Sequence, residues 1–388
     1  MEWPQAQLAV PAGWRAAPFT QFVVKVASRC NLACDYCYVY ESADQSWRRQ
    51  PRVMTDETFA RACRLIAGHA ARHGLGSVGL VFHGGEPLLA GVDTLNRFAG
   101  VAREVIGAGV RFSLQTNGVL ITEEFADMCV RRGIRVAVSL DGGEDANDRH
   151  RVRKDGTSSF SAVRAGLRIL TARPEAYAGL LCTVDTANAP VPTYEALLRF
   201  APEEIDFLLP HATWAAPPPR PGTYADWLIA VFDRWFHAPV RQTRVRLFDD
   251  LMVAALGGRV ASEVVGTAPV RVAVIETDGS LEQVDALKTA YPGAARLLDA
   301  SGTDPLEAAL ADPGVVARQI GMAALADECR RCPVVQVCGG GHYAHRYRPG
   351  SGFRNPSVYC GDLYPLISHV ITTVAGRLGR SGGEPPPR

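Results

Sequence analysis

A chain of 388 residues with 41 Lys+Arg against 40 Asp+Glu carries no net field to attract nucleic acid or an anionic membrane, and no basic block supplies a local one. Its 47% apolar and 21% charged residues are those of a globular protein with a sizeable core. The opening residues, MEWPQAQLAVPAGWR, lack a basic region followed by an apolar one, and no run of roughly 18 apolar residues occurs, so the reading is a cytoplasmic protein with no membrane contact, whose ten cysteines serve metal binding or catalysis before disulfides.

After a short extension (1–20), six apolar, β-rich runs follow one another: FVVKVA (22–27), VGLVF (78–82), RFSLQ (111–115), IRVAVSL (134–140), GLLCTV (179–184) and IDFLLP (205–210). Helical segments separate them. One, TDETFARACRLIAGHAARHG, starts at Thr55 as N-cap and stops at Gly74. Six β-then-α alternations mean parallel strands, in an open doubly wound sheet or a partial barrel. The unusual residues decide between them: Cys30 to Cys37, HGGEP (83–87), QTNG (115–118) and SLDG (139–142) all fall at C-terminal strand ends, which is the barrel arrangement. The expectation is an α/β fold, a partial (β/α)6 TIM-like barrel over residues 21–211.

A linker and helical bridge (212–268) begins with the Pro-rich HATWAAPPPRPGT. YADWLIAVFDRWF then places Trp227, Val231, Phe232, Trp235 and Phe236 on one helical face, read as a core stripe before a substrate-binding surface. VRVAVIETDGSLEQVDALK gives two strands around Asp278-Gly279, a hairpin that opens a second domain (269–375). That domain holds Cys329, Cys332, Cys338 and Cys360. The end of the chain (376–388), closing in SGGEPPPR, is expected to be disordered.

Three cysteines at Cys-x3-Cys-x2-Cys, in CNLACDYCY, leave one ligand short of four. A 4Fe-4S cluster held by three thiolates keeps one iron open to the N and O donors of a small molecule. A zinc site would want a fourth ligand nearby, and neither Asp35 nor a histidine offers the usual spacing. The spacing, with Tyr36 before the third cysteine, resembles the radical SAM superfamily, whose cluster chelates S-adenosyl-L-methionine (SAM) and cleaves it reductively to a 5′-deoxyadenosyl radical. The resemblance assigns Cys30, Cys34 and Cys37 to that cluster and Tyr36 to the cofactor site. It implies that Gly84, Gly85, Glu86 and Pro87 meet the methionine ammonium, Glu86 through its carboxylate, and that Asn117 and Ser139 lie near the ribose and carboxylate. Arg151, in NDRHR, is the candidate for the carboxylate itself. The family more often has His where this chain has Asn147.

Cys329-x2-Cys332-x5-Cys338 followed by Cys360 resembles the SPASM domain of radical SAM maturases, with a zinc site of four cysteines as the alternative. The resemblance implies one auxiliary 4Fe-4S cluster, since the position of a further ligand is His342 and the family's Cys-Asp is Val284-Asp285. Asp285 is then the counterpart of an aspartate that acts as a base, against the plainer reading of an exposed hairpin carboxylate. His342 is read first as a satisfied structural histidine and second as a partner tuning the cluster. Cys63, Cys129 and Cys182 have no partners at ligand spacing and are expected to be buried.

From about 21 to 365 the chain resembles FxsB-type radical SAM/SPASM maturases, in FVVKVASRCNLACDYCYVYESADQSWRRQP, YADWLIAVFDRWF, GSLEQVDALK and CPVVQVCGGGHYAHRY. That implies a C–C cyclophane crosslink between an aromatic ring and the β-carbon of a residue two positions later in a ribosomally synthesised precursor peptide. Reduced ferredoxin or flavodoxin would be the electron donor. Another SPASM reaction, thioether formation or sulfatase Ser/Cys oxidation, is the first alternative, and a non-catalytic iron-sulfur peptide-binding or redox-sensing protein the second. The residues before the first strand are too few for a leader-peptide-recognition domain, so none is expected.

Overall fold

The computed structural model describes residues 8–297 and 304–381. Six strands, β1 (Gln21–Ala27), β2 (Val78–Gly84), β3 (Val110–Thr116), β4 (Ile134–Ser139), β5 (Tyr177–Thr183) and β6 (Glu204–Leu208), each pair in parallel with the next. Because the spatial order follows the chain order, with no reversal beside β1, the sheet is of the barrel type and not doubly wound. Each predicted run is found as a strand within a few residues of its expected limits.

The helices cover the sheet for the reason their sequences suggest. In α1 (Asp56–Arg72), Thr55 accepts the Thr58 N–H at 3.2 Å, and Phe59, Ala62, Cys63 and Ile66 turn inward at helical spacing. Phe59 stacks on Phe98 of α2 (Val92–Val105) at 4.0 Å and reaches Phe82 of β2. Three further helices, α3 (Glu123–Arg132), α4 (Glu144–Asp148) and α5 (Phe160–Thr171), and then α6 (Pro190–Leu198), complete the crossovers.

The aromatic helix α7 (Thr223–Phe236) buries Trp227, Val231, Phe232 and Trp235, and both indoles donate to backbone carbonyls, of Asn188 and Thr243. The stripe is therefore core. It packs against the long C-terminal helix Cys360–Ser381, with His369 paired to Asp233 at 2.7 Å. That helix carries the chain to Ser381, so the stretch from 376, expected to be disordered, is helical that far; residues 382–388 lie outside the described ones.

The hairpin forms as expected, with β8 (Val272–Ile275) antiparallel to β9 (Leu281–Glu282), but it does not stand apart from the barrel. β8 pairs in parallel with β1, Gln21 opposite Val272 and Val24 opposite Ile275. β7 (Arg244–Val245) likewise extends β6 on the other side, giving the sheet order β7-β6-β5-β4-β3-β2-β1-β8-β9. The second domain is thus grafted onto the first strand by its backbone, which brings residues 276–288 against the barrel. At the far side, Trp214 N–H donates to Tyr347 O and the Tyr359 hydroxyl to Pro210 O, tying the loop after β6 to the cysteine-rich segment. No helix of the described residues is long and apolar enough to cross a membrane.

Candidate active site

The loop after β1 gathers its three cysteines through its own hydrogen bonds. Cys37 N–H donates to Cys34 O, Tyr40 N–H and Glu41 N–H to Cys37 O, and Ala33 N–H reaches across to Val152 O. The Cys30 sulfur accepts from the Leu32 N–H at 3.4 Å and the Asn117 amide at 3.6 Å. All three thiols are unbridged and half-buried. Burial raises each above the ordinary thiol range, Cys34 to about 11, so as bare groups they stay protonated. Coordination to a metal removes that proton, and this makes them ligands in waiting.

They open onto a cavity of about 190 Å³ at the C-terminal end of the sheet. Tyr36, Gly84, Gly85, Asn117, Ser139 and Arg151, six of the residues assigned to the cofactor, line it. So do His83, Gln115, Thr183 and His211, which the sequence reading did not single out. Gln115 donates to the Ser139 hydroxyl at 2.8 Å, fixing the polar wall where β3 and β4 end. The two glycines are required by close packing: a Cβ on Gly84 would stand 2.0 Å from Ala27 O, and on Gly85 1.8 Å from the Tyr40 hydroxyl.

Glu86 and Pro87 depart from expectation, since neither lines the cavity. Glu86 is 0% exposed and its carboxylate is used inside the protein, accepting from Leu88 N–H, Thr116 hydroxyl and Asn117 N–H at 3.0, 2.7 and 2.8 Å. It locks the end of β3 and thereby sets Asn117; Pro87 is buried at the start of a 3-10 turn beneath it. Glu86 thus reaches the cavity through Asn117, whose N–H it holds.

Arg151 donates to the Tyr36 hydroxyl at 2.8 Å, and that hydroxyl donates in turn to Asp141. Asp141 also accepts the Thr183 N–H at 2.9 Å. Burial works against the guanidinium's charge, but Tyr36, Asp141 and Cys34 together hold it firmly cationic. Its Nε is buried without a partner among the described residues, so a donor is left over at the cavity wall, as an anionic ligand group requires. Asp141 was missed. It lies two residues beyond Ser139 in SLDG, past the end of β4, where alternation no longer says which way a side chain points. Asn147, at the variant position, is buried and donates to Ser159 at 3.1 Å.

Asp285 is neither an exposed hairpin carboxylate nor part of the cavity wall. It is 7% exposed and pairs with Lys25 at 2.6 Å and Lys288 at 3.4 Å; the same lysines meet Glu276, and Lys288 meets Glu282 at 2.7 Å. Burial alone would raise the Asp285 carboxyl, but Lys25 and Lys288 outweigh it and hold it down to about 2. Glu282 goes the other way, raised by burial to about 7, so a site with one carboxylate too many accommodates it as an acid. A carboxylate so paired is a poor proton acceptor. Asp285 instead acts through its charge on His83, Tyr38 and His211, which do line the cavity. His83 is kept neutral by burial, and its Nδ1 has no partner among the described residues.

The second cysteine set also converges. Cys329, Cys332, Cys338 and Cys360 line one pocket, walled by Val335, Pro356 and Leu363. The Arg346 guanidinium is buried near Cys338 and Cys329, donating to Gly339, Gly340 and Gly341 carbonyls with no carboxylate partner among the described residues. Four thiolates around a metal centre would supply the missing negative charge, so the residues fit a fully ligated site. His342 is not part of this pocket, which leaves its cluster-tuning role without a contact. Cys63, Cys129 and Cys182 are buried elsewhere, as expected.

Comparison with known proteins agrees with this geometry. Residues 24–174 match the family model described as the radical SAM superfamily. The chain is 28% identical over 386 residues to a serine-type anaerobic sulfatase-maturating enzyme of Klebsiella aerogenes, covering 95% of this chain and 89% of that protein. It is 26% identical to a cysteine-type enzyme of Clostridium perfringens over 69% of this chain and 74% of the other. Among solved structures, native anSMEcpe with bound AdoMet and a Cp18Cys peptide shares the fold over 92% of this chain and 99% of its own, at 22% identity and a TM-score of 0.77.

Proposed function

We propose that the chain is a radical SAM enzyme that oxidises one residue of a peptide substrate at its β-carbon. The observation that carries this is a single cavity in which the cysteine triad, an underused buried arginine and a neutral histidine face one another. Likeness along nearly the whole length of a serine-type sulfatase-maturating enzyme supports a peptidyl Ser or Cys as the target. Cys30, Cys34 and Cys37 would hold a 4Fe-4S cluster, which with SAM would supply a 5′-deoxyadenosyl radical able to remove a carbon-bound hydrogen.

The protein's own groups do the rest. Arg151 holds the cofactor carboxylate, and Asn117 and Ser139 orient its polar groups beside the sulfur ligands. Leu181, Leu208 and Leu209 on the cavity wall exclude water from the reacting carbon. Removing a second hydrogen as proton plus electron needs an acceptor for each. His83 takes the proton at its unpartnered Nδ1, with the Asp285 carboxylate behind it favouring the imidazolium. Cys329, Cys332, Cys338 and Cys360 would hold an auxiliary 4Fe-4S cluster, which would supply a one-electron acceptor, and reduced ferredoxin or flavodoxin would be the external electron donor.

A second reading, the cyclophane crosslink, is favoured by one observation: only one four-cysteine set exists among the described residues, as the resemblance to FxsB-type enzymes implies. Both products lose the same hydrogens when the target is serine, so mass does not separate them. The test is anaerobic turnover of the reconstituted enzyme with SAM, reductant and Ser- or aromatic-containing peptides. Oxidation gives 5′-deoxyadenosine and an aldehyde that a hydrazide probe labels. A crosslink gives no label and resists fragmentation across three residues. Vigorous 5′-deoxyadenosine formation with no altered peptide in any set rejects the peptide reading.

A further inference from the structure

Outside the cysteine sites, two groups of three side chains place metal-binding atoms within 4.8 Å of one another around histidines, and they differ in how far those atoms are already satisfied. His69 and His73 both meet Glu307 Oε1, at 3.0 and 2.7 Å, and the other nitrogen of His69 meets Phe19 O at 3.2 Å. That group is closed on itself. The other, His211, His342 and His345, contains no carboxylate; Glu263 is the carboxylate paired with it, at 3.8 Å from His342 Nε2.

These three rings come from distant parts of the chain. His211 sits on the loop after β6 and on the cavity wall, while His342 caps and His345 lies within the 3-10 turn Tyr343–Arg346 that follows CGGG. They form a near-regular triangle, with ring centroids 5.1, 5.3 and 4.9 Å apart. One hydrogen bond links them, His211 Nδ1 to His345 Nε2 at 3.2 Å. His342 Nδ1 accepts only a long bond, 3.3 Å, from the Ala344 N–H.

Three imidazoles thus converge with one mutual hydrogen bond among them, and histidines so gathered are the usual ligands of a transition-metal ion. The spacing suits a cation. Two nitrogens on one tetrahedral ion with bonds of about 2.0–2.1 Å stand about 3.3 Å apart, close to the observed pair. One ring nitrogen from each of the three, all within 4.8 Å of one another, makes three ligands, with His342 Nδ1 exchanging its long bond from the Ala344 N–H for the ion. His342 Nε2–H then faces Glu263, the outer carboxylate that metal-bound histidines commonly have.

We propose that His211, His342 and His345 bind a mononuclear divalent transition-metal ion of the zinc class, distinct from both cysteine sites and adjoining the reaction cavity. Three protein ligands leave a coordination position for water or for an oxygen donor of the substrate. His342 is thereby a ligand, in place of the structural or cluster-tuning histidine that its sequence position suggested.

The test uses the enzyme after anaerobic cluster reconstitution, dialysed against zinc sulfate and then against a weak chelator. One zinc per chain is expected beyond the iron, with zinc-edge X-ray absorption giving nitrogen or oxygen neighbours at about 2.0 Å and no sulfur at about 2.3 Å. His211→Gln and His345→Gln should each weaken zinc retention by roughly 100-fold with iron content unchanged. Should the buried His345 variant fail to fold, His211→Gln on its half-buried loop decides alone. Zinc absent after chelation, zinc bound through sulfur, or retention unmoved in His211→Gln overturns the proposal, whatever the peptide activity.

Discussion

Cys30, Cys34 and Cys37 share their cavity with Arg151, Asn117, Ser139 and His83, whereas Cys329, Cys332, Cys338 and Cys360 share theirs with Val335, Pro356 and Leu363. In both sets burial raises thiols above their ordinary range, at Cys30, Cys34 and Cys37 in the first and at Cys329, Cys338 and Cys360 in the second, Cys34 and Cys338 alike to about 11. What differs is the remainder of the wall. Around the three stand groups able to bind an amino-acid-like molecule; around the four stand mainly apolar groups, with Ser357 and Glu328 beside them and the buried Arg346 guanidinium near Cys338 and Cys329. Ligand number and wall chemistry point the same way: one site is built for chemistry, the other to be closed.

The largest effect expected from breaking this contrast is at Arg151. Arg151→Lys keeps the charge but removes the planar fork and the hydrogen bond to Tyr36, and SAM affinity measured by anaerobic equilibrium dialysis should fall roughly 10- to 100-fold. An unchanged affinity would remove Arg151 from the cofactor site. Next comes the proton acceptor. In His83→Gln, product per 5′-deoxyadenosine should drop about tenfold at pH 7 while cofactor cleavage persists. Equal loss of both would assign His83 to cofactor binding. Asp285→Asn should shift the same ratio less, because it acts through His83.

The smallest effect concerns stability. Glu282 is raised from 4.5 to about 7, so the folded chain holds a proton that the unfolded chain releases earlier. Stability should therefore decline as pH rises from about 4.5 to about 7, by at most ~1.4 kcal/mol per pH unit for one proton. Denaturant melts of Glu282→Gln should lose that slope; an identical slope would show that other groups set it.

Most of the barrel was legible because its strands are buried on both faces and spell themselves as apolar runs. The hairpin was legible from Asp278-Gly279, yet its attachment was not, since pairing of β8 with β1 joins backbone far apart in sequence. That one pairing explains why the burial of Asp285 was not legible. Lys25 lies inside FVVKVA, where it passes for an exposed break in an apolar strand, and only the register beside β8 turns it onto Glu276 and Asp285. Glu86 was misplaced for a related reason: a motif gives the residue but not the direction of its carboxylate, which the N–H groups of Leu88 and Asn117 determine. His211 was hidden in a Pro-rich linker, with no local pattern to mark it.

The central claim is tested most directly by comparing Cys34→Ala with Cys332→Ala after anaerobic reconstitution, reading iron and 5′-deoxyadenosine together. Each variant should lose about four of about eight irons, but only Cys34→Ala should abolish SAM cleavage, while Cys332→Ala still forms 5′-deoxyadenosine and releases less modified peptide. Undiminished cleavage in Cys34→Ala, or its abolition in Cys332→Ala with the first cluster intact, would contradict the assignment of the two sites.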